Sequence, residues 1–112
     1  MNIVKSKTYI AIPPGATLRE QLKDRKMTQK DLALKMGMST KHISKLINGE
    51  VQLTPNTALK LEYILGIPAE FWCNLESIYQ INMIRATREN TAQSAEEDRV
   101  GTFQPEYATG LA

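Results

Sequence analysis

Two short helices joined by a tight turn, within residues 27–50, limit the possible folds of this chain more than any other feature of its sequence. Thr28, with Asp31 three residues on, has the pattern of a capping box and predicts the start of a helix. Gly37 predicts the end of that helix, and Ser39 can cap the next one. Helices this short are not stable alone in water, so neighbouring segments must complete a core with them.

The second helix of the pair has two faces of opposite character. Aliphatic residues share one face, and small polar and basic residues occupy the other. A helix-turn-helix presents its recognition helix to the DNA major groove in this way. The pattern therefore predicts binding to a specific site on double-stranded DNA.

The flanking segments predict three further helices. Their starts and ends are indicated by proline, glycine and a threonine cap, at Pro14-Gly15, Thr54-Pro55, Gly66 and Pro68. Only Thr8–Ile12 shows any strand-like alternation, and it is too short to predict a strand. The sequence thus predicts an all-α fold of five short helices.

The chain length of 112 residues suits one domain with a small helical core. We expect an N-terminal arm over residues 1–13 and a helix-turn-helix and dimerisation domain over 14–82. Residues 83–112 are expected to form a helix extension and, from Asn90, a flexible tail. Such a tail could fold around a partner protein, remain passive or be the stub of a linker.

The cellular location of the protein is indicated by the absence of membrane and export signals from its sequence. Its apolar runs are too short for a membrane-spanning helix, and its first residues lack the apolar stretch of a signal peptide. The single cysteine, Cys73, cannot form an internal disulfide, which suits a reducing compartment. We therefore expect a cytoplasmic protein.

Charge is distributed unevenly along the chain, although the net charge is only +2. Residues 19–60 hold nine basic and four acidic residues, whereas residues 61–112 hold three basic and eight acidic residues. A polyanion would be attracted to the first region and repelled by the second. Ordinary solvated surface charge is the alternative interpretation.

Three motifs within residues 10–82 resemble the HigA-type antitoxins, which belong to the phage-repressor-like (XRE) class of helix-turn-helix proteins. They are the PPG-x-x-L entry, the TQKDLA…MS-x-K-x-IS-x-LINGE core and the TP-x-TALKLEYILG-x-P-x-EFW-x-NLE end. The core marks only the broad class, whereas the end is much more specific to HigA-like proteins. Pro13 and Ala16 depart from the entry motif, where family members commonly have His and Glu. The resemblance implies a five-helix, lambda-repressor-like DNA-binding domain.

The resemblance also implies which residues contact DNA. Bases would be contacted from the start of the recognition helix, by Thr40, Lys41, Ser44 and Lys45. Lysine can reach the guanine O6 and N7 atoms, and a hydroxyl can contact either base type. Phosphate contacts are expected near helix ends, from Thr28, Gln29, Lys30, Ser39 and Asn48.

The fifth predicted helix carries more apolar surface than a small bundle needs, which is typical of a partner surface. HigA-like proteins dimerise through this region, so the resemblance implies a homodimer with an interface formed by Phe71, Trp72, Leu75, Ile78 and Tyr79. A two-fold dimer would place two recognition helices about 34 Å apart on a palindromic operator. The alternative is that these aromatic residues close the core of the monomer.

No set of catalytic groups is recognisable in this sequence, and we predict a non-enzyme without a cofactor or metal. One histidine and one cysteine, far apart, do not form a metal site. His42 could contact a base or respond to pH, but a packed or capping role is the favoured interpretation. The chain also lacks the HExxH motif of zinc peptidases that some longer HigA-like proteins carry.

These patterns together predict an antitoxin that represses its own operon and neutralises a small basic, HigB-like, RNA-cleaving toxin by direct binding. DNA binding is inferred from the residues, and the toxin from the resemblance alone. The alternatives are a stand-alone XRE-family regulator and an N-terminal piece of a longer HigA-like protein. An adaptor that binds protein instead of DNA is the least favoured alternative.

Overall fold

A computed structural model describes the backbone of residues 1–98 and the side chains of residues 1–93. Its helices are α1 (Gly15–Asp24), α2 (Gln29–Met36), α3 (Thr40–Asn48), α4 (Pro55–Leu65) and α5 (Ala69–Asp98). Two short antiparallel strands, β1 (Val4–Lys5) and β2 (Ile10–Ala11), precede them. The prediction of a five-helix fold that contains a helix-turn-helix, formed by α2 and α3, is confirmed.

The three middle helices begin and end where the local sequence predicts. Each starts at a hydroxyl that accepts a hydrogen bond from the backbone N–H three residues on, at Thr28, Ser39 and Thr54. Each ends at a glycine with positive φ, at Gly37, Gly49 and Gly66. These caps satisfy backbone groups that a helix leaves unpaired at its ends.

One residue from each helix illustrates the core that holds them together. Fully buried side chains come from α1 to α5 in turn, namely Leu18, Leu32, Ile43, Leu61 and Trp72. Burial of one such side chain contributes about 1.5–3 kcal/mol before the entropy of ordering is counted. The short helices are therefore held in place by packing between them rather than by their own propensity.

The first thirteen residues correct one expectation, since the sequence predicts no strand there. The predicted N-terminal arm contains a β-hairpin whose strands pack against α5. The Thr8 N–H donates to Glu89 Oε1 at 2.7 Å, and Asn90 Nδ2 donates to the Lys5 carbonyl oxygen at 2.9 Å. The Arg85 guanidinium carbon lies 5.6 Å from the centroid of the Tyr9 ring, which is a cation–π distance.

The length of α5 corrects a second expectation. The helix continues without interruption through Asp98, so residues 90–98 are helical rather than part of a tail. The rest of the predicted tail, residues 99–112, lies outside the described residues. Within residues 1–98, no helix combines the length and apolar character needed to cross a membrane.

Candidate nucleic-acid interface

The orientation of α3 is fixed by its caps and by its buried face. Ser39 Oγ accepts the His42 backbone N–H at 3.0 Å and so defines the first turn. Ile43, Leu46 and Ile47 are buried in the core. Because helix positions three or four apart share a face, the opposite side of α3 must point away from the core.

The four predicted base-contacting residues lie together on that outer side of α3. Thr40 and Lys41 are exposed, whereas Ser44 and Lys45 are half-buried. Two hydroxyls and two ammonium groups therefore occupy one face of a single helix. These groups can pair with the acceptors and the thymine methyl of the major groove, although their contact with DNA remains a prediction.

The start of α2 is a complete capping box. Thr28 Oγ1 accepts the Asp31 N–H and Asp31 Oδ2 accepts the Thr28 N–H, both at 3.0 Å. The Thr28 backbone N–H, followed by its hydroxyl, holds the pKa of Asp31 below its ordinary value. Because the Thr28 N–H is already paired, a phosphate at this end would have to use the Thr28 hydroxyl proton or the neighbouring Gln29 and Lys30.

The other two predicted phosphate contacts also serve the structure. The Ser39 hydroxyl accepts the α3 cap bond, which leaves its proton able to donate to a phosphate. Asn48 Oδ1 accepts from Arg19 Nη2 at 3.5 Å, and its backbone oxygen accepts the Asn2 N–H at 2.7 Å. Its Nδ2 group is the donor that could reach a phosphate.

The predicted dimer interface needs correction at two of its five residues. Trp72 and Tyr79 are buried inside the single chain, so they complete the monomer core and cannot form an outer surface. Leu75 is half-buried, and Phe71 and Ile78 are exposed.

Sequence analysis missed two exposed residues of the same helix, Ile81 and Ile84. Together with Phe71 and Ile78 they form the apolar stripe of α5. These four isoleucine and phenylalanine side chains are 42–54% exposed. The signal that could have identified them is the helical spacing that continues from Phe71 and Ile78 to residues 81 and 84.

Within the part of the chain that the structure describes, no three His, Cys, Asp or Glu side chains lie together as a metal site. His42 is half-buried, and its backbone N–H completes the Ser39 cap.

Comparison with known sequences matches the same region to a known family. The helix-turn-helix family HTH_3 matches residues 18–72. Virulence-associated protein I of Dichelobacter nodosus is 30% identical over 81 residues, which cover 71% of this chain and 75% of that protein.

Solved structures extend the similarity to most of the chain. An addiction module antidote protein of a HigA family, from Coxiella burnetii, is 31% identical with a TM-score of 0.63. The match covers 82% of this chain and 97% of that one. PA4674 from Pseudomonas aeruginosa, solved in complex with its operator DNA, is 26% identical with a TM-score of 0.65. That match covers 69% of this chain and 84% of the PA4674 chain.

Proposed function

Because this chain belongs to the HigA-type branch of the XRE helix-turn-helix family, we propose that it represses its own toxin–antitoxin operon and neutralises the toxin encoded there. The family is one of DNA-binding antitoxins that are not known as enzymes. The protein therefore acts by binding DNA and protein.

The single observation that carries the DNA part of the proposal is the polar outer face of α3. Thr40, Lys41, Ser44 and Lys45 share this face, and caps at both ends of the helix hold it in place. Support comes from PA4674, whose similar fold was solved on operator DNA. Specific affinity is expected between about 10 nM and 10 pM, with a marked dependence on salt.

Repression of its own promoter follows if the protein binds as a two-fold dimer. The apolar stripe of α5 supplies a surface for this dimer, since exposed aliphatic groups gain free energy when they are buried together. Two copies of α3 about 34 Å apart would then contact two halves of a palindrome. RNA polymerase would be excluded from the promoter that the dimer covers.

Neutralisation of a toxin is the second part of the proposal and rests on the family. The partner is a small, basic, HigB-like RNA-cleaving protein that forms a stable complex with this chain.

DNA binding is tested by fluorescence anisotropy with a fragment of the chain's own promoter and a scrambled fragment of equal length. Binding to the promoter at least about a thousandfold tighter than to the scramble is expected. Equal affinity for both fragments would contradict a specific repressor and favour the adaptor alternative.

Toxin binding is tested by native purification of the protein from its own cells, followed by intact-mass analysis. A small basic protein in fixed ratio, whose toxicity is relieved by co-expression of this chain, is the expected result. A homodimer without a partner at any salt concentration would leave a stand-alone regulator.

A further inference from the structure

Asn2 connects α5 to the C-terminal end of the recognition helix. The Tyr79 hydroxyl, on α5, donates to the Asn2 carbonyl oxygen at 2.8 Å. The Asn2 N–H donates to the Asn48 carbonyl oxygen at 2.7 Å, and Asn2 Nδ2 donates to the Gly49 carbonyl oxygen at 3.2 Å. Carbonyl groups in the last turn of a helix lack intrahelical partners, and Asn2 supplies partners for two of them.

The same turn of α3 is enclosed by two other segments. A Cβ atom on Gly49 would lie 2.8 Å from Pro13 Cβ and 3.2 Å from the Tyr79 hydroxyl oxygen. A Cβ atom on Gly15, at the start of α1, would overlap the Ile47 carbonyl oxygen. Contacts this close leave the end of α3 little room to shift relative to α1 and α5.

Asn2 is itself held in place through the hairpin that follows it. Hydrogen bonds from Thr8 to Glu89 and from Asn90 to the Lys5 carbonyl fix the hairpin on α5. Residues 1–12, which we call the strap, thus contact the middle of α5 and the end of α3. Because Tyr79 is 3% exposed, its hydroxyl depends on Asn2 for a partner in this buried setting.

We propose that Tyr79 and Asn2 are positioning residues for DNA recognition, and that the strap transmits the position of α5 to the recognition helix. The inference rests on the proposed DNA binding. A recognition helix contacts bases from its start, so a small change of tilt at its far end displaces Thr40 and Lys41 relative to the groove. Base contacts depend on that geometry, whereas the general attraction of the basic surface to phosphates does not.

The test is Tyr79→Phe, which removes the hydroxyl and keeps the ring. Tyr63→Phe is the matched control because the Tyr63 side chain is 92% exposed on α4. Loss of one hydrogen bond is expected to weaken operator binding about three- to tenfold and to leave scrambled-DNA affinity unchanged. Tyr63→Phe is expected to change neither.

Hydrogen exchange of the free protein supplies a readout that does not depend on DNA. The Gly49 and Glu50 amides, which donate to Leu46 and Lys45 carbonyls, are expected to exchange faster in Tyr79→Phe, while α2 amides keep their rates. Asn2→Ala, at an exposed position, should give the same local pattern if Tyr79→Phe fails to fold.

Three outcomes decide the question. Faster exchange confined to the end of α3, with a loss only on operator DNA, supports the positioning role. Unchanged exchange at Gly49 and Glu50, or an equal loss on operator and scrambled DNA, overturns it. If the unmodified protein shows no preference for the operator, the proposed function has failed instead, and exchange alone decides whether the strap holds α3.

Discussion

Gly37 and Gly49 end consecutive helices in the same backbone conformation but in different surroundings. Their φ angles are 67° and 77°. A Cβ atom on Gly37 would meet no atom within 4 Å, whereas one on Gly49 would lie 2.8 Å from Pro13 Cβ. The pair therefore separates the cost of positive φ from the cost of close packing.

We predict that Gly37→Ala lowers the free energy of unfolding by about 1–2 kcal/mol, because alanine is strained at positive φ. Gly49→Ala is expected to cost about 1–3 kcal/mol more, because Pro13 and Tyr79 must move to admit the methyl group. Denaturant unfolding of both variants measures the difference. Equal losses would show that the end of α3 is not tightly enclosed.

Lys41 is the exposed base-contact candidate with the longest reach. We predict that Lys41→Ala weakens binding to the cognate site by about 1–3 kcal/mol and relaxes base preference at one position. Lys23→Ala, which removes the same charge from the last turn of α1, is the control. Anisotropy titrations on operator and random DNA give the comparison, and an equal loss on both would make Lys41 a phosphate contact.

Among the structural elements, the hairpin on α5 is held in part by the Glu89 carboxylate, which accepts the Thr8 N–H. Hydrogen bonds from the Ser6 hydroxyl and then from Thr8 hold the pKa of Glu89 below its ordinary value of 4.5. A carboxylate with a lowered pKa stabilises the folded state above its unfolded pKa. This stabilisation is lost as pH falls through the lower, folded value.

We therefore predict that Glu89→Gln lowers Tm at neutral pH and that the difference from the unmodified protein shrinks below about pH 4.5. Thermal unfolding followed by circular dichroism between about pH 7 and pH 3 tests this. Glu20→Gln, on α1, is the matched control. A Tm difference that stays constant over this range would mean that the Glu89 charge does not hold the hairpin.

The elements differ in how far the sequence predicts them, for a physical reason. Helices α2, α3 and α4 are bounded by caps whose partners lie three residues away, so a short stretch of sequence contains the whole signal. The hairpin is held by a hydrogen bond between Thr8 and Glu89, 81 residues apart, and two-residue strands show no clear alternation. Long-range pairing of this kind leaves no local pattern.

For the candidate site, too, the sequence predicts what depends on local spacing and not what depends on long-range packing. The polar face of α3 follows from helical spacing, so Thr40, Lys41, Ser44 and Lys45 could be placed together from the sequence alone. The roles of Trp72 and Tyr79 could not, because an apolar or aromatic residue on a helix packs inward or outward depending on what lies beside it. Tyr79 is buried because the strap packs against α5.

At the scale of the whole molecule, the proposed assembly and the proposed DNA contacts use different elements of one chain, α5 and α3. The basic region carries α3, and the acidic region carries α5 with its apolar stripe. A dimer built through α5 would place two basic surfaces outward toward DNA. Dimerisation would then raise operator affinity by joining two half-site contacts, each of them weak alone.

We predict that Ile78→Glu converts the proposed dimer to a folded monomer, because a charge in the centre of the stripe would be buried in that interface without a partner. Leu59→Glu is the matched control, since Leu59 on α4 is 58% exposed and Ile78 is 54% exposed. Light scattering after size exclusion gives the mass, and circular dichroism checks the helices.

The two variants also separate assembly from recognition. The Ile78→Glu monomer is expected to bind a full palindrome no better than a single half-site, because its α3 is intact but acts alone. Leu59→Glu should keep the dimer mass and the preference for the full palindrome. If Ile78→Glu keeps the dimer mass, the interface lies elsewhere on the molecule, and the spacing expected between the two recognition helices must be derived from that other surface.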